Sequence, residues 1–251
     1  MYEKQPIFKE PEDENVKVWR YMDFTKLIDI LERESLYFTR ADKFDDPFEG
    51  ISSKVTKEKR LQYINDTGGK LQGKLRESSE LLDQKVREWT VINCWHMNEY
   101  ESDAMWKLYV QSNEGIAIQS TFKKLCNSFS NVEEGISLGQ VNYIDYELDD
   151  MQHKEHMLSP FVYKRKSFEH ERELRAMIMR IPEKGNRFDY KGQSFNHGVY
   201  VQVNLEELID KIYVAPTAPQ WIFKLVELML IKYGLGHKKV LKSPLLENPS
   251  L

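Results

Sequence analysis

The sequence predicts an α+β fold, in which helices flank a mixed, mostly antiparallel sheet within a single large domain. Segments rich in Val, Ile and Tyr alternate with helical patterns along the chain. Three of the strand-like segments, 173–181, 199–204 and 210–215, follow one another closely. Such close succession favours antiparallel pairing over a doubly wound parallel sheet. No repeat with a period of about 20 to 50 residues is visible, which excludes a solenoid.

The composition is that of an ordinary globular domain. The chain has 251 residues, 41% of them hydrophobic and 30% charged, which is enough to bury a sizeable core. The formal net charge of −4 does not support nucleic acid or membrane as a partner, because both attract an excess of Lys and Arg. Cys94 and Cys126 lack C-x-x-C spacing, and no apolar signal segment opens the chain. We therefore expect a reduced, cytoplasmic protein without disulfides or structural zinc.

The elements begin after an acidic segment. Residues 1–15 are acidic and contain two prolines, so we expect a disordered arm there and a single domain at 16–251. The domain opens with strand character in VKVWRYM. A helix follows through DFTKLIDILERE, where apolar residues recur at i, i+3, i+4 and i+7, and SLYFTRA is the next strand.

A polar segment at about 53–89 is predicted to project from the domain as two helices. Gly68 and Gly69 interrupt it, and most of its other residues are charged or polar. After this segment the sequence predicts the strand TVINCW, a helix capped by Ser102, the strand GIAIQS and a helix at 121–129. The long helix WIFKLVELMLIKYG lies near the C-terminus.

The common catalytic fingerprints are missing from the sequence. It contains no G-x-x-x-x-G-K-[ST] phosphate loop and no G-x-G-x-x-G after a strand. It also contains no G-x-S-x-G elbow and no H-E-x-x-H. The usual nucleotide-binding, hydrolase and zincin interpretations therefore lack support, and four polar clusters remain as candidates.

The first two clusters each have a structural alternative. Arg20 and Tyr21 end the opening strand, where an Arg can bind phosphate or carboxylate through two parallel hydrogen bonds; the alternative is a surface Arg beside a half-buried Tyr. Asp45, Asp46 and Glu49 place three carboxylates within five residues, a set that could hold a divalent metal. Asp-Asp-Pro is equally good turn chemistry.

The third cluster is the stretch CWHMNEYESDAMWKLY at 94–109. On a helix capped by Ser102, Trp106 and Tyr109 share a face with Met105, which is the usual pattern of core packing. The polar residues His96, Glu99 and Glu101 lie between a strand end and a helix start, where ligand-binding groups often gather. The stretch therefore indicates either a core helix with solvated acids or one wall of a cleft.

The fourth cluster is SFEHERELRAMI. If a strand runs through it, Glu169, Glu171 and Glu173 lie on one face and raise the pKa of at least one carboxyl, while Arg175 offsets the repulsion. The alternative is surface negativity on an edge strand.

These motifs, taken together, carry a resemblance. The order R-Y, LYFTRADKFDDPFEG, CWH, ESDAMWKLY, GIAI and FEHERELR, from about Val16 to Ser243, resembles the prokaryotic family called domain of unknown function 2971. The layout is also similar, more remotely, to the mono-ADP-ribosyltransferase superfamily. That resemblance implies a split sheet with NAD as substrate in the cleft, and hence a nucleotide-like small-molecule partner.

The superfamily resemblance also implies roles for single residues. Arg20 would bind phosphate or ribose beside Tyr21 and His96, and Trp106 or Tyr109 would stack on nicotinamide. Glu173 would bind the ribose and stabilise the positive charge that develops on it, and Glu171 would orient the acceptor. The middle strand departs from the pattern, because it reads Asn93-Cys94-Trp95 where many transferases have Ser-Thr-Ser.

Three functions follow as hypotheses. The first is an NAD-dependent ADP-ribosyltransferase or NAD glycohydrolase, acting in phage defence or as a toxin-like effector. The second is a metal-dependent hydrolase or nuclease, in which a divalent ion activates water and is held by Asp45, Asp46, Glu49, His96 and Glu101. The third is a non-enzymatic module that senses a ligand or binds a partner.

Overall fold

The computed structural model describes residues 2–4, 7–110, 112–152, 156–185 and 187–246. The helices are α1 Phe24–Arg33, α2 Lys54–Thr67, α3 Gln72–Trp89, α4 Asp103–Tyr109, α5 Phe122–Ser128, α6 Leu205–Leu208 and α7 Gln220–Lys232. The strands are β1 Lys17–Asp23, β2 Ser35–Arg40, β3 Thr90–Met97, β4 Gly115–Thr121, β5 Ser137–Gln140, β6 Asn142–Ile144, β7 Tyr163–Arg165, β8 Glu173–Met179, β9 Glu183–Lys184, β10 Arg187–Phe188, β11 Gly198–Gln202, β12 Lys211–Val214 and β13 Lys239–Lys242.

The central feature is a nine-stranded sheet. Its main path runs β11-β2-β3-β1-β4-β12-β13, and β8 and β5 add to it through β3. The pairs within it are antiparallel except β12 with β13. The predicted α+β class with a mixed, mostly antiparallel sheet is therefore confirmed.

The sheet is split along one edge of β3. Strand β8 pairs with β3 over residues 90–96, so β2 and β1 must share the opposite edge. Strand β2 pairs there with Val91 and Ile92, and β1 pairs with His96 and Met97. Between these two pairings β1 and β2 diverge, and an opening forms beside Cys94.

Two hydrophobic clusters cover the faces of β3. Successive side chains on a strand point to opposite faces, and accordingly Val91 and Trp95 belong to the larger cluster whereas Ile92 belongs to the smaller one. The larger cluster includes buried residues of α1, α5 and α7, and the smaller includes Val86 and Trp89 of α3. Both faces of the central strand are thus covered by packed apolar side chains.

Helices α2 and α3 form the predicted helical segment. Gly69, with a φ of 48°, lies in the connection between them. Two hydrogen bonds from the Arg60 guanidinium to the Asp83 carboxylate join the two helices. Only Thr56 and Ile64 of α2 are buried, whereas the C-terminal end of α3 enters the core. Among the described residues, no helix combines the length and apolar character needed to span a bilayer.

The N-terminal residues differ from the expected disordered arm where the structure describes them. Phe8 is 5% exposed and packs in the smaller cluster. The backbone of Glu3 donates to Ile136, and that of Gln140 donates to Lys9. Burial of Phe8 outweighs the polar composition of its neighbours. Residues 1, 5 and 6 of the arm lie outside the described residues.

Candidate functional site

A cavity of ≈ 880 Å³ opens where the sheet splits. Pockets that hold nucleotides and other small ligands have about this volume. Strands β1, β2, β3, β8 and β11, helices α1 and α4, and the loop after β2 contribute to its wall. The residues predicted from the sequence that line it are Arg20, Tyr21, Asp45, Asp46, Glu49, His96, Tyr109, Glu171 and Glu173.

Arg20 crosses the opening between the diverging strands. Its Nη1 donates a hydrogen bond of 2.6 Å to the carbonyl oxygen of Cys94. Burial lowers the pKa of Arg20 from its ordinary value, yet a guanidinium remains protonated. No carboxylate pairs with Arg20 among the described residues. A desolvated cation without a counter-ion on a cavity wall is suited to bind an anionic ligand.

A buried network of charges contributes Lys164, Glu49, Glu171 and Glu173 to the cavity wall. Lys164 Nζ donates to Glu171 Oε2 at 2.5 Å and to Glu173 Oε1 at 2.7 Å. Arg175 Nε donates to Glu173 Oε2 at 2.5 Å, and its other nitrogens bind both oxygens of Glu49. Every carboxylate of the network is thus held by at least one cation, as buried charges require.

The two glutamates of this network have opposite pKa shifts. Burial and the neighbouring Glu173 carboxylate raise the pKa of Glu171 to about 7, although Lys164 opposes the shift. Burial alone would raise the pKa of Glu173 as well, but Arg175 and Lys164 hold that pKa below its usual range. These shifts favour the ionised form of Glu173 at neutral pH and bring the proton exchange of Glu171 close to neutral pH.

His96 lies beside Glu173 in the paired strands and is 3% exposed. Its Nδ1 lies 2.7 Å from the carbonyl oxygen of Glu171, so Nδ1 carries the proton. Burial lowers the pKa of His96, which keeps the ring neutral. Its Nε2 has no hydrogen-bond partner among the described residues and is sealed from solvent. His96 therefore orients the Glu171 backbone from the cavity wall.

The aromatic residues of α4 separate into two roles. Trp106 is 4% exposed, packs edge-on against Tyr21 and donates from Nε1 to Glu101. Of the two aromatic residues expected to stack on a ligand, Trp106 packs its ring into the core and is not part of the cavity lining. Tyr109 does line the cavity. The Tyr21 hydroxyl accepts from the backbone of Ser102.

Two of the three carboxylates after β2, those of Asp46 and Glu49, pair with arginines. Asp46 pairs with Arg165 at 2.8 Å and also accepts from the backbone of Phe48, which is turn chemistry. Glu49 pairs with Arg175. Within the described part of the chain, no group of three or more His, Cys, Asp or Glu side chains is placed to share a metal ion. The geometry gives the metal-dependent alternative no support.

The fourth cluster differs from a continuous strand. Residues 166–171 form a 3-10 turn, and Arg172 has a φ of 41° before β8 begins at Glu173. Glu169 therefore points to solvent, while Glu171 and Glu173 meet through Lys164. Sequence reasoning missed Lys164 as a site residue, and the only signal was the basic run 164–166.

The comparisons with known proteins found a match to one family model, and this match covers part of the site. Residues 105–176 match the model of a family described as "Protein of unknown function (DUF2971)". The matched segment includes Tyr109, Lys164, Glu171, Glu173 and Arg175. It is narrower than the span over which the motifs carry the resemblance. Comparisons with curated proteins and with solved structures gave no match.

Proposed function

We propose that the protein binds NAD in this cavity and cleaves it, as an ADP-ribosyltransferase or an NAD glycohydrolase. The observation that carries the proposal is that one cavity is lined both by Arg20, a cation with no carboxylate partner among the described residues, and by Glu173, a carboxyl group whose pKa is held low. The first suits a diphosphate, and the second suits a ribose on which positive charge develops. The split in the sheet at Cys94 supports the same interpretation.

The reaction breaks the bond between ribose C1′ and the nicotinamide nitrogen, and the bonding electron pair leaves with nicotinamide. The ionised carboxylate of Glu173 stabilises the charge left on the ribose. Lys164 and Arg175 each occupy one lone pair of its two oxygens, and a carboxylate retains further acceptor capacity. Both cations also fix the orientation of Glu173.

Glu171 is the group placed to move a proton. A water or acceptor hydroxyl that attacks C1′ must lose its proton, and a carboxylate with a pKa of about 7 accepts one efficiently near neutral pH. Lys164 binds Glu171 and Glu173 together, which places this base next to the reacting centre. The side chains of Asn93, Cys94 and Trp95 carry no hydroxyl group. The polar contacts to NAD therefore come from other residues of the cavity wall.

The decisive experiment measures nicotinamide release from NAD by the purified protein. Glu173→Gln should lower the rate by roughly 100-fold or more, the usual cost of removing one electrostatic partner of the transition state. Glu169→Gln is the matched control, because it removes an exposed carboxylate from the same turn and should leave the rate unchanged. Absence of NAD binding in calorimetry at millimolar NAD would overturn the proposal, and binding without turnover would favour a sensing module.

A cellular role in phage defence or as a toxin-like effector is part of the proposal, because an enzyme that consumes NAD arrests the growth of its host. Expression of the wild-type chain should deplete cellular NAD, and expression of Glu173→Gln should not. Growth arrest that persists in Glu173→Gln with normal NAD would separate toxicity from NAD cleavage.

A further inference from the structure

Two tyrosines form one end of the cavity, away from the glutamates. Tyr37 on β2 and Tyr200 on β11 are register partners, and their ring centroids lie 5.0 Å apart with an interplanar angle of 62°. Both line the cavity. Tyr200 is 42% exposed even though its ring is large and apolar. Tyr37 and the Arg33 guanidinium cover part of the Tyr200 ring, and the remaining aromatic surface is open.

The two rings are held in place from behind. A Cβ added to Gly198 would lie 2.6 Å from Tyr37 Oη and 2.7 Å from Cζ, so the Tyr37 ring occupies the space that a side chain at 198 would fill. The Arg33 guanidinium lies 4.5 Å from the centroid of Tyr200, and Asp29 pairs with Arg33. Rings fixed in this way lose little entropy when a flat ligand stacks on them.

The tyrosines lie at a defined distance from the reacting end. Three strand-to-strand steps, β8 to β3 to β2 to β11, separate Glu173 from Tyr200. Each step between neighbouring strands is about 4.8 Å, and Glu173 and Tyr200 are also offset by two residues along the strand direction. The separation of Glu173 from Tyr200 is therefore roughly 15 Å. Arg20 lies between them, at Cys94. One base with its ribose is too short to span this gap, whereas two nucleosides joined by a diphosphate reach across it.

We propose that the Tyr37–Tyr200 end of the cavity is a nucleobase subsite, and that the substrate is therefore a dinucleotide rather than a mononucleotide. The inference rests on the proposed function and extends it to the half of the ligand that does not react. Stacking of the base on tyrosine and contact of the diphosphate with Arg20 position the reacting ribose at Glu173. Base stacking tolerates any base, so the subsite selects for length and aromaticity.

Calorimetry with two probes tests the subsite. ADP-ribose contains the remote base and the diphosphate, and nicotinamide mononucleotide contains neither the remote base nor a diphosphate. Tyr200→Ala should weaken ADP-ribose binding by about tenfold, within the range for loss of one stacking partner, and should leave nicotinamide mononucleotide binding unchanged. Tyr200→Phe and Tyr37→Phe keep the rings and should bind ADP-ribose as the wild type does. Tyr63→Ala removes an exposed tyrosine of α2 and is the control.

The outcomes separate this inference from the proposed function. Unchanged ADP-ribose binding in Tyr200→Ala, equal weakening of both probes, or no ADP-ribose binding by the wild type would each overturn the subsite. Failure of the proposed function would be seen differently, as absence of nicotinamide release despite ADP-ribose binding that depends on Tyr200. Turnover of nicotinamide mononucleotide and NAD with equal kcat/KM would overturn the dinucleotide preference while leaving the glycosidic cleavage intact.

Discussion

Glu171 and Glu173 are only two residues apart, yet their surroundings give them different chemistry. Glu173 is bound by two cations, and Glu171 is bound by one. Burial raises the pKa of Glu171, and the neighbouring Glu173 carboxylate raises it further because like charges at this distance repel. The proton is therefore retained on Glu171 up to a pH of about 7. Because Glu173 has one more cationic partner than Glu171, we assign Glu173 the role of electrostatic partner and Glu171 the role of base.

The first prediction concerns the pH profile of nicotinamide release. A raised pKa means that Glu171 is protonated, and inactive as a base, below a pH of about 7. The logarithm of kcat/KM should therefore rise with a slope of about 1 up to that pH and level off above it. Steady-state assays across pH 5 to 9 would measure the profile. Glu169→Gln should keep the rising limb, whereas Glu171→Gln should lower the rate and remove the limb. A limb that persists in Glu171→Gln would assign it to another group.

The second prediction concerns the buried pair of Glu49 and Arg175, which are 2% and 0% exposed. Glu49→Gln leaves the Arg175 guanidinium with one carboxylate instead of two, and the free energy of unfolding should fall by about 3 to 5 kcal/mol, the usual cost of breaking a buried pair. Urea denaturation measures this change. Glu147→Gln breaks an exposed pair with Lys54 and should cost less than about 1 kcal/mol. If both variants lost the same free energy of unfolding, the buried Glu49–Arg175 pair would contribute no more stability than the exposed pair.

At the scale of elements, the third prediction concerns how the opening between β1 and β2 is held. Asn93 is 1% exposed; its Nδ2 donates to the carbonyl of Tyr37 at 2.9 Å, and its Oδ1 accepts from Trp95 Nε1 at 2.8 Å. The side chain thus ties β2 to β3 beyond the last backbone pairing. Asn93→Ala leaves two buried polar groups unpaired and should destabilise the fold by about 1 to 3 kcal/mol for each group.

Hydrogen exchange would test the element-level part of this prediction. In Asn93→Ala the amides of β2 should exchange faster than in the wild type, and those of β4 should not, because β4 is paired with β1 along its whole length. Asn15→Ala, which removes a side chain that hydrogen-bonds Asp13 on the surface, is the control. Uniform acceleration across the sheet would indicate global destabilisation instead of a local opening.

At the scale of the whole molecule, local patterns and long-range pairings differ in how well the sequence reveals them. Helical spacing predicts α1 and the polar pair α2 and α3, since each is set by its own residues. Arg20 and Glu173, which the sequence motifs singled out, both line the cavity. The contribution of Lys164 could not be predicted, because it comes from β7, whose strand partner is β6 outside the main sheet. Tyr37 and Tyr200 meet only through the β2–β11 register, 163 residues apart in the chain.

The last prediction concerns the stability of the whole fold when ligand binds across both halves of the split sheet. A ligand that binds only the folded state adds about 2.7 kcal/mol to the free energy of unfolding at 100 times its Kd. ADP-ribose at that concentration should produce this gain in urea denaturation of the wild type. Arg20→Gln keeps a donor for the Cys94 carbonyl but removes the charge, so most of the gain at the same ligand concentration should be lost. Arg187→Gln, at an exposed position, should keep it. A gain that is the same in Arg20→Gln and the wild type would place the diphosphate elsewhere.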